Sequence, residues 1–135
     1  MIKPTKNDLL KVMEKEPYLC SIGLANSLLC KREKIDLEKE RGSLRNQVKE
    51  FQLSCEWLSL CKIRKTINRD IGMSYSLRRY SVRKWCGRYV SNGAFIAAVI
   101  HLNIPYRRYS DSINVHIAIS SRSLSIPLIL AIYST

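Results

Sequence analysis

The chain has 135 residues, of which 46% are apolar and 25% are charged, and its formal net charge is +12. This length and composition are sufficient for one domain with a buried core, and they exclude wholesale disorder. No apolar run approaches the ~20 residues that a helix needs to cross a bilayer. The excess of basic charge does not specify a fold, but it indicates a partner of opposite charge.

The N-terminal part of the chain predicts helices. Asn7 precedes the mostly apolar segment of residues 8–13. This arrangement predicts a short helix that is N-capped by Asn7 and ends before Pro17. The mostly apolar residues 19–30 predict a second helix. The charged residues 31–41 are either a solvated helix start or a loop.

A long amphipathic helix is predicted over residues 36–61. Its apolar positions recur at three- and four-residue steps, which is the spacing of one helix face. Position 41 is the exception, because it holds arginine. We interpret the stripe as a packing face with Trp57 beside it, and a coiled-coil dimer is the alternative. The stripe consists of Leu37, Leu44, Val48, Phe51, Cys55 and Leu58.

The C-terminal part begins with residues 63–73, whose mixed periodicity predicts a loop. Ser74 is a plausible N-cap for a helix over residues 75–87. Residues 94–102 are apolar on nearly every side, so they predict a central buried helix that ends before Pro105. We expect Trp85 and the bulky residues of this helix to be buried with the stripe: Phe95, Ile96, Val99 and Ile100.

The pattern then changes to a period of two. A β-hairpin is predicted over this segment. Its first strand is residues 106–109, its polar turn is residues 110–112, and apolar residues alternate in its second strand at Val115, Ile117 and Ile119. About five helices and one hairpin define an α+β, mainly helical single domain over residues 1–135. The apolar tail at residues 126–132 contains Pro127, and we expect it to pack on the hairpin or to form a homodimer interface.

The charge is concentrated in one half of the sequence. Residues 1–61 contain eleven Lys or Arg and nine Asp or Glu, so this helical half is near neutral. Residues 62–135 contain twelve Lys or Arg, and their acidic residues are Asp70 and Asp111. Such asymmetry favours contact between the basic half and a polyanion.

The predicted helix over residues 75–87 has a cationic face. At 100° per residue, Val82, Trp85, Cys86 and Tyr89 share one side, and the basic residues lie opposite. Arginine offers phosphate a planar fork of donors. The candidate nucleic-acid-binding residues are those of this face and of the flanking basic segments: Lys62, Arg64, Lys65, Arg79, Arg83, Lys84, Arg88, Arg107 and Arg108.

Other side chains near this face have two interpretations. Arg78 lies on the apolar side, where it needs a partner, and Asp70 is the nearest acid in sequence. Four tyrosines interleaved with the basic residues can stack on unpaired bases, or they can pack at the edge of the core. These tyrosines are Tyr75, Tyr80, Tyr106 and Tyr109.

Metal and catalytic signatures are absent from the sequence. The five cysteines have no CxxC pair and lie far from His101 and His116, so we expect buried thiols, no metal and no cofactor. Their odd number, without a signal peptide, favours a reducing cytoplasm. The basic half lacks the clustered carboxylates of a nuclease. We therefore expect no enzymatic activity.

Four segments of the sequence resemble small uncharacterised proteins of bacterial mobile elements and phages. They lie at residues 55–58 (CEWL), 65–68 (KTIN), 74–79 (SYSLRR) and 89–98 (YVSNGAFIAA). The resemblance implies a mobile-element setting and supplies no catalytic residues. Together with the charge, it predicts a non-enzymatic binder of DNA or RNA. The alternative is an anti-defence inhibitor of the anti-CRISPR type, bound to a host ribonucleoprotein through protein or guide RNA.

Overall fold

The computed structural model describes residues 3–125 and confirms an α+β, mainly helical fold. Its elements in chain order are α1 (Lys6–Lys15), β1 (Leu19–Cys20), β2 (Gly23–Leu24), α2 (Ser27–Arg32), α3 (Leu37–Arg45), α4 (Val48–Leu60), α5 (Ser74–Leu77), a π-helical turn (Arg78–Val82), α6 (Arg83–Cys86), α7 (Asn92–His101), β3 (Tyr106–Tyr109), β4 (Ser112–Ile117) and a 3₁₀ turn (Ser121–Ser125). The predicted docking of the apolar tail at residues 126–132 lies outside the described residues.

Helix α7 lies at the centre of the fold, as its uniformly apolar sequence predicts. It packs against α1, α4, β2 and the hairpin strand β4. Ser91 caps its N-terminus by accepting a hydrogen bond from the backbone N–H of Ala94 at 3.0 Å. Phe95 is fully buried, and its ring centroid lies 6.2 Å from that of Trp57. The predicted core is confirmed except for Ile100, which is half-buried.

Helix α1 begins two residues earlier than predicted. The side chain of Thr5 accepts from the backbone N–H of Asp8, and the Asp8 carboxylate accepts from the backbone N–H of Thr5. This reciprocal capping box satisfies two N–H groups at the helix start. The assignment of Asn7 as the N-cap was therefore wrong, because Asn7 lies inside the first turn.

The helix predicted over residues 19–30 was also wrong. Strands β1 and β2 form a short antiparallel pair, and α2 follows with Asn26 as its N-cap. Gly23 has a φ of +145°, and a Cβ at this position would overlap the carbonyl oxygen of Ile113. Only glycine adopts this conformation readily at such a close backbone approach. Residues 31–41 contain the end of α2, a loop and the start of α3.

The predicted long helix is divided into α3 and α4 at Asn46 and Gln47. The division lets the two helices pack in different directions, α3 against α1 and β1 and α4 mainly against α7. The apolar stripe continues across it. Its members Leu44, Phe51, Cys55 and Leu58 are buried, and Leu37 and Val48 are half-buried.

The predicted C-terminal hairpin is confirmed. Strands β3 and β4 pair antiparallel, with Tyr106 opposite Ile117. The predicted loop at residues 63–73 runs beside the hairpin and joins it through two isolated bridges, Ile63 to Ile119 and Met73 to His116. Across residues 3–125, no helix has the length and apolar character needed to cross a membrane.

Candidate nucleic-acid interface

The candidate site is built on the continuous helical segment of residues 74–86, called here the basic helix. Its inner face is anchored by Leu77, Val82 and Trp85, which are buried. Met73 rather than Ser74 occupies the N-cap position, because the Ser74 hydroxyl instead accepts from the backbone N–H of Val115 on β4 at 3.1 Å. The basic helix is therefore tied to the hairpin at its N-terminal end.

A π-helical turn occupies the middle of the basic helix. The backbone N–H of Arg83 donates to the carbonyl of Arg78, five residues earlier, which widens the helix locally. The Arg78 side chain is buried here with a residue exposure of 7%. Its guanidinium lies 4.8 Å from the ring centroid of Tyr75 and 5.8 Å from that of Tyr89.

The environment of Arg78 differs from the prediction. No ion pair joins it to Asp70 in the part of the chain that the structure describes, and its partners are aromatic rings. Burial lowers the pKa of the Arg78 guanidinium, and Arg83 and Arg79 lower it further. Its Nε atom is buried without a hydrogen-bond acceptor. Arg78 thus places beneath the surface a positive charge that contacts aromatic rings and no carboxylate of residues 3–125.

The outer face of the basic helix and the residues that follow it form an open hollow of about 620 Å³, called here the basic depression. Arg79 is fixed by a 2.8 Å hydrogen bond from its Nη1 to the Tyr75 hydroxyl, which is a neutral partner. None of the four cations of the depression has a carboxylate partner within residues 3–125. The lining residues are Arg79, Tyr80, Arg83, Lys84, Gly87, Arg88 and Tyr89.

Gly87 ends the basic helix and determines where Tyr89 lies. Its φ of 72° is left-handed, and its backbone N–H donates to the carbonyl of Arg83 at 2.8 Å. The chain therefore leaves the helical path before Tyr89, which is 53% exposed. The prediction that Tyr89 belongs to the apolar face was wrong. It assumed that the helical rotation of 100° per residue continues to Tyr89, but the helix ends at Cys86.

The predicted tyrosines have different environments. Tyr80 is 65% exposed at the basic depression, whereas Tyr75 is half-buried beside Arg78. The Tyr106 hydroxyl donates to the Glu16 carboxylate at 3.0 Å. Tyr109 packs edge-on against His116, with ring centroids 5.3 Å apart. Tyr80 is thus the one of these four that lines the depression, and Tyr89 joins it.

The remaining predicted basic residues do not line the depression. Lys62, Arg64 and Lys65 are exposed on the segment that joins the hairpin, where the backbone N–H of Arg64 donates to the carbonyl of Ala118 at 2.8 Å. Arg107 is exposed on β3. The structure therefore concentrates four of the nine predicted residues at one place.

Arg108 has a structural partner. Its Nη1 lies 3.0 Å from Oε1 of Glu16, and its Nη2 donates to the carbonyl of Ala25 at 3.0 Å. These contacts tie β3 to the end of α1 and to the residue after β2. Because Glu16 matches its charge, Arg108 is not one of the unpaired cations.

Burial shifts the pKa values of cysteine thiols and of one imidazole. Burial raises the pKa of the Cys55 and Cys61 thiols to about 12, so both are uncharged near neutral pH. Burial, with a contribution from Arg69, lowers the pKa of His116. Within residues 3–125, no group of three or more His, Cys, Asp or Glu side chains is arranged to hold a metal ion.

No protein-family model, curated protein or solved structure matches this chain. The function is therefore inferred from the geometry and charge of the basic depression.

Proposed function

We propose that this protein is a small, basic, non-enzymatic nucleic-acid-binding protein of a phage or mobile element. It contacts phosphates through the outer face of the basic helix. The observation that carries this proposal is the basic depression itself, in which four cations that have no carboxylate partner among residues 3–125 meet two exposed tyrosines.

The charge arrangement in the basic helix favours an anionic ligand. Arg79 and Arg83 are four residues apart in the basic helix, and such a like-charged pair destabilises a helix by a few tenths of a kcal/mol. The basic helix contains no acidic residue that relieves this repulsion. Phosphate groups bound in the depression relieve it, and arginine binds them through paired donors.

Phosphate contact is largely independent of base sequence, so the salt dependence of binding is the direct test. Binding of a fluorescein-labelled 20-base-pair DNA is measured by anisotropy from 50 to 200 mM salt. If the four cations of the depression each neutralise one phosphate, the slope of log K against log salt is about −3.6.

Two charge-reversed variants distinguish binding at the basic depression from binding that depends only on the overall positive charge. Changing Arg79, Arg83 and Arg88 to Glu abolishes binding while leaving the fold intact, because these side chains lie off the buried face. Changing Lys6, Lys11 and Lys49 to Glu is the matched control, since these exposed lysines lie on α1 and α4 and the net charge falls equally. The control variant retains most of the affinity.

Two outcomes contradict the proposal. One is a dissociation constant weaker than about 10⁻⁴ M for both DNA and RNA at physiological salt, which is the weak limit of non-specific binding. The other is an equal loss of binding in both triple variants. The first result favours an acidic protein surface, such as that of a host defence complex, as the partner, and the second shows that binding follows the overall charge of the protein and not the basic depression.

A further inference from the structure

The two tyrosines of the basic depression are unusual in their exposure. Tyr80 and Tyr89 are 65% and 53% exposed, whereas both tryptophans are at most 4% exposed. The hydroxyl of an exposed tyrosine can donate to a phosphate, but the ring itself adds no phosphate contact. Its aromatic face is, however, available for a flat ligand.

Guanidinium groups hold both rings in place. The guanidinium of Arg79 lies 5.7 Å from the ring centroid of Tyr80, and that of Arg83 lies 5.2 Å from the ring centroid of Tyr89. The buried Arg78 lies 5.8 Å from the Tyr89 ring as well. Cation–π contacts of this length are attractive, and both rings remain more than half exposed beside them.

The shape of the depression allows close approach to these rings. Arg79, Arg83 and Gly87 occupy one row of the helix at four-residue spacing, and the third position has no side chain. Glycine at a ligand-facing position permits the ligand to approach the backbone. The row therefore presents two guanidinium groups beside the open position at Gly87, in a hollow that both rings line.

We propose that the basic depression binds single-stranded nucleic acid, with unpaired bases stacked on Tyr80 and Tyr89 and phosphates bound by the neighbouring cations. This inference rests on the proposed function and specifies its substrate. Base stacking on aromatic side chains tolerates any sequence, because every base has a π-face. In a duplex the base faces are covered by one another, so the two rings gain stacking only from a single strand.

The test compares single-stranded and double-stranded ligands. A 12-nucleotide DNA strand, the same sequence as RNA, and the corresponding duplex DNA are titrated against the wild-type protein at one salt concentration. Loss of one stacked base weakens binding by about 5- to 150-fold. Tyr80→Ala and Tyr89→Ala are each expected to weaken single-strand binding within this range and duplex binding less than 2-fold.

Matched variants keep the test specific to the rings. Tyr80→Phe and Tyr89→Phe retain the aromatic face and are expected to bind within about 2-fold of the wild type. Because stacking involves no ion, the Ala variants retain the single-strand salt slope of about −2.8 that four phosphate contacts produce. Thermal midpoints followed by the fluorescence of the buried tryptophans verify that each variant is folded.

The outcomes distinguish this inference from the proposed function. If the Ala variants bind single strands as tightly as wild type while the Arg79, Arg83, Arg88 to Glu variant does not bind, stacking is refuted and phosphate binding stands. An equal loss on duplex and single strand also overturns the stacking inference. If the wild type binds neither ligand, the proposed function and this inference both fail. Comparison of the DNA and RNA strands identifies which nucleic acid is preferred.

Discussion

Arg41 provides the sharpest test of how this fold is held together. Its Nη1 donates to the carbonyls of Glu16 and Leu19 at 2.9 and 2.8 Å, and its Nη2 donates to the carbonyl of Met13 at 2.9 Å. Met13 precedes Pro17 by four residues, and proline has no N–H to complete the helical hydrogen bond. Arg41 on α3 therefore completes the C-terminal end of α1.

The cost of removing this side chain follows from those contacts. A hydrogen bond to a charged group contributes about 1.5–3 kcal/mol, and three bonds from one group are not additive. Arg41 is half-buried, so water replaces part of what is lost. We expect Arg41→Met to lower the free energy of unfolding by about 2–4 kcal/mol, a large part of the 5–15 kcal/mol typical of a domain.

Urea unfolding followed by tryptophan fluorescence measures this loss, because Trp57 and Trp85 are both buried. Arg41→Lys should recover less than half of it, since one ammonium cannot reach three carbonyls in the way that a planar fork does. Lys39→Met is the control, because this exposed side chain lies on the same helix. A loss below about 1 kcal/mol for Arg41→Met, with an unchanged m-value, would refute the reasoning.

Two further predictions concern the core and the start of α1. Phe95→Ala should lower the free energy of unfolding by about 3–5 kcal/mol, because Phe95 is fully buried and leaves a cavity; a loss similar to that of the exposed Leu60→Ala would contradict its central position. The backbone hydrogen bond from Thr5 holds the pKa of Asp8 below its ordinary value of 3.8. The ionised Asp8 therefore stabilises the fold fully above pH 3.8, and this stabilisation is lost as the pH falls through the lowered pKa. Asp8→Asn should therefore lower the melting temperature at pH 7 but not at pH 2, and an equal effect at both pH values would exclude the ionised capping box.

Much of the fold follows from patterns that act within one element. The apolar run of residues 94–100 in α7 predicts a buried helix, and the period of two through Val115 and Ile117 predicts a half-buried strand. The cationic face of the basic helix was equally visible in the sequence, because residues on one helix face recur at known spacing. Three of its cations are brought together at the depression, with Arg88 just past its end.

The misplaced N-cap of α1 and the misplaced Tyr89 arise from local capping at Thr5 and Gly87, whereas the two errors in helix extent arise from contacts between distant residues. Nothing in residues 19–30 indicates that Gly23 lies against the backbone of Ile113. With this contact the segment forms the short strands β1 and β2, where the sequence predicts a helix. The helix is divided at Asn46 and Gln47 although neither residue is glycine or proline. The division follows from packing, since α3 and α4 pack against different elements.

The roles of individual charges were decided by tertiary structure alone. Arg41 appeared as an interruption of an apolar stripe, yet it binds the end of α1; Arg108 appeared as a phosphate ligand, yet it pairs with Glu16. The net charge and the face of a helix that carries it are properties of the sequence, since they depend on composition and short-range spacing. Which of those charges remain unpaired depends on which acids and carbonyls the folded chain brings within about 3 Å, and only the packing of distant segments determines that.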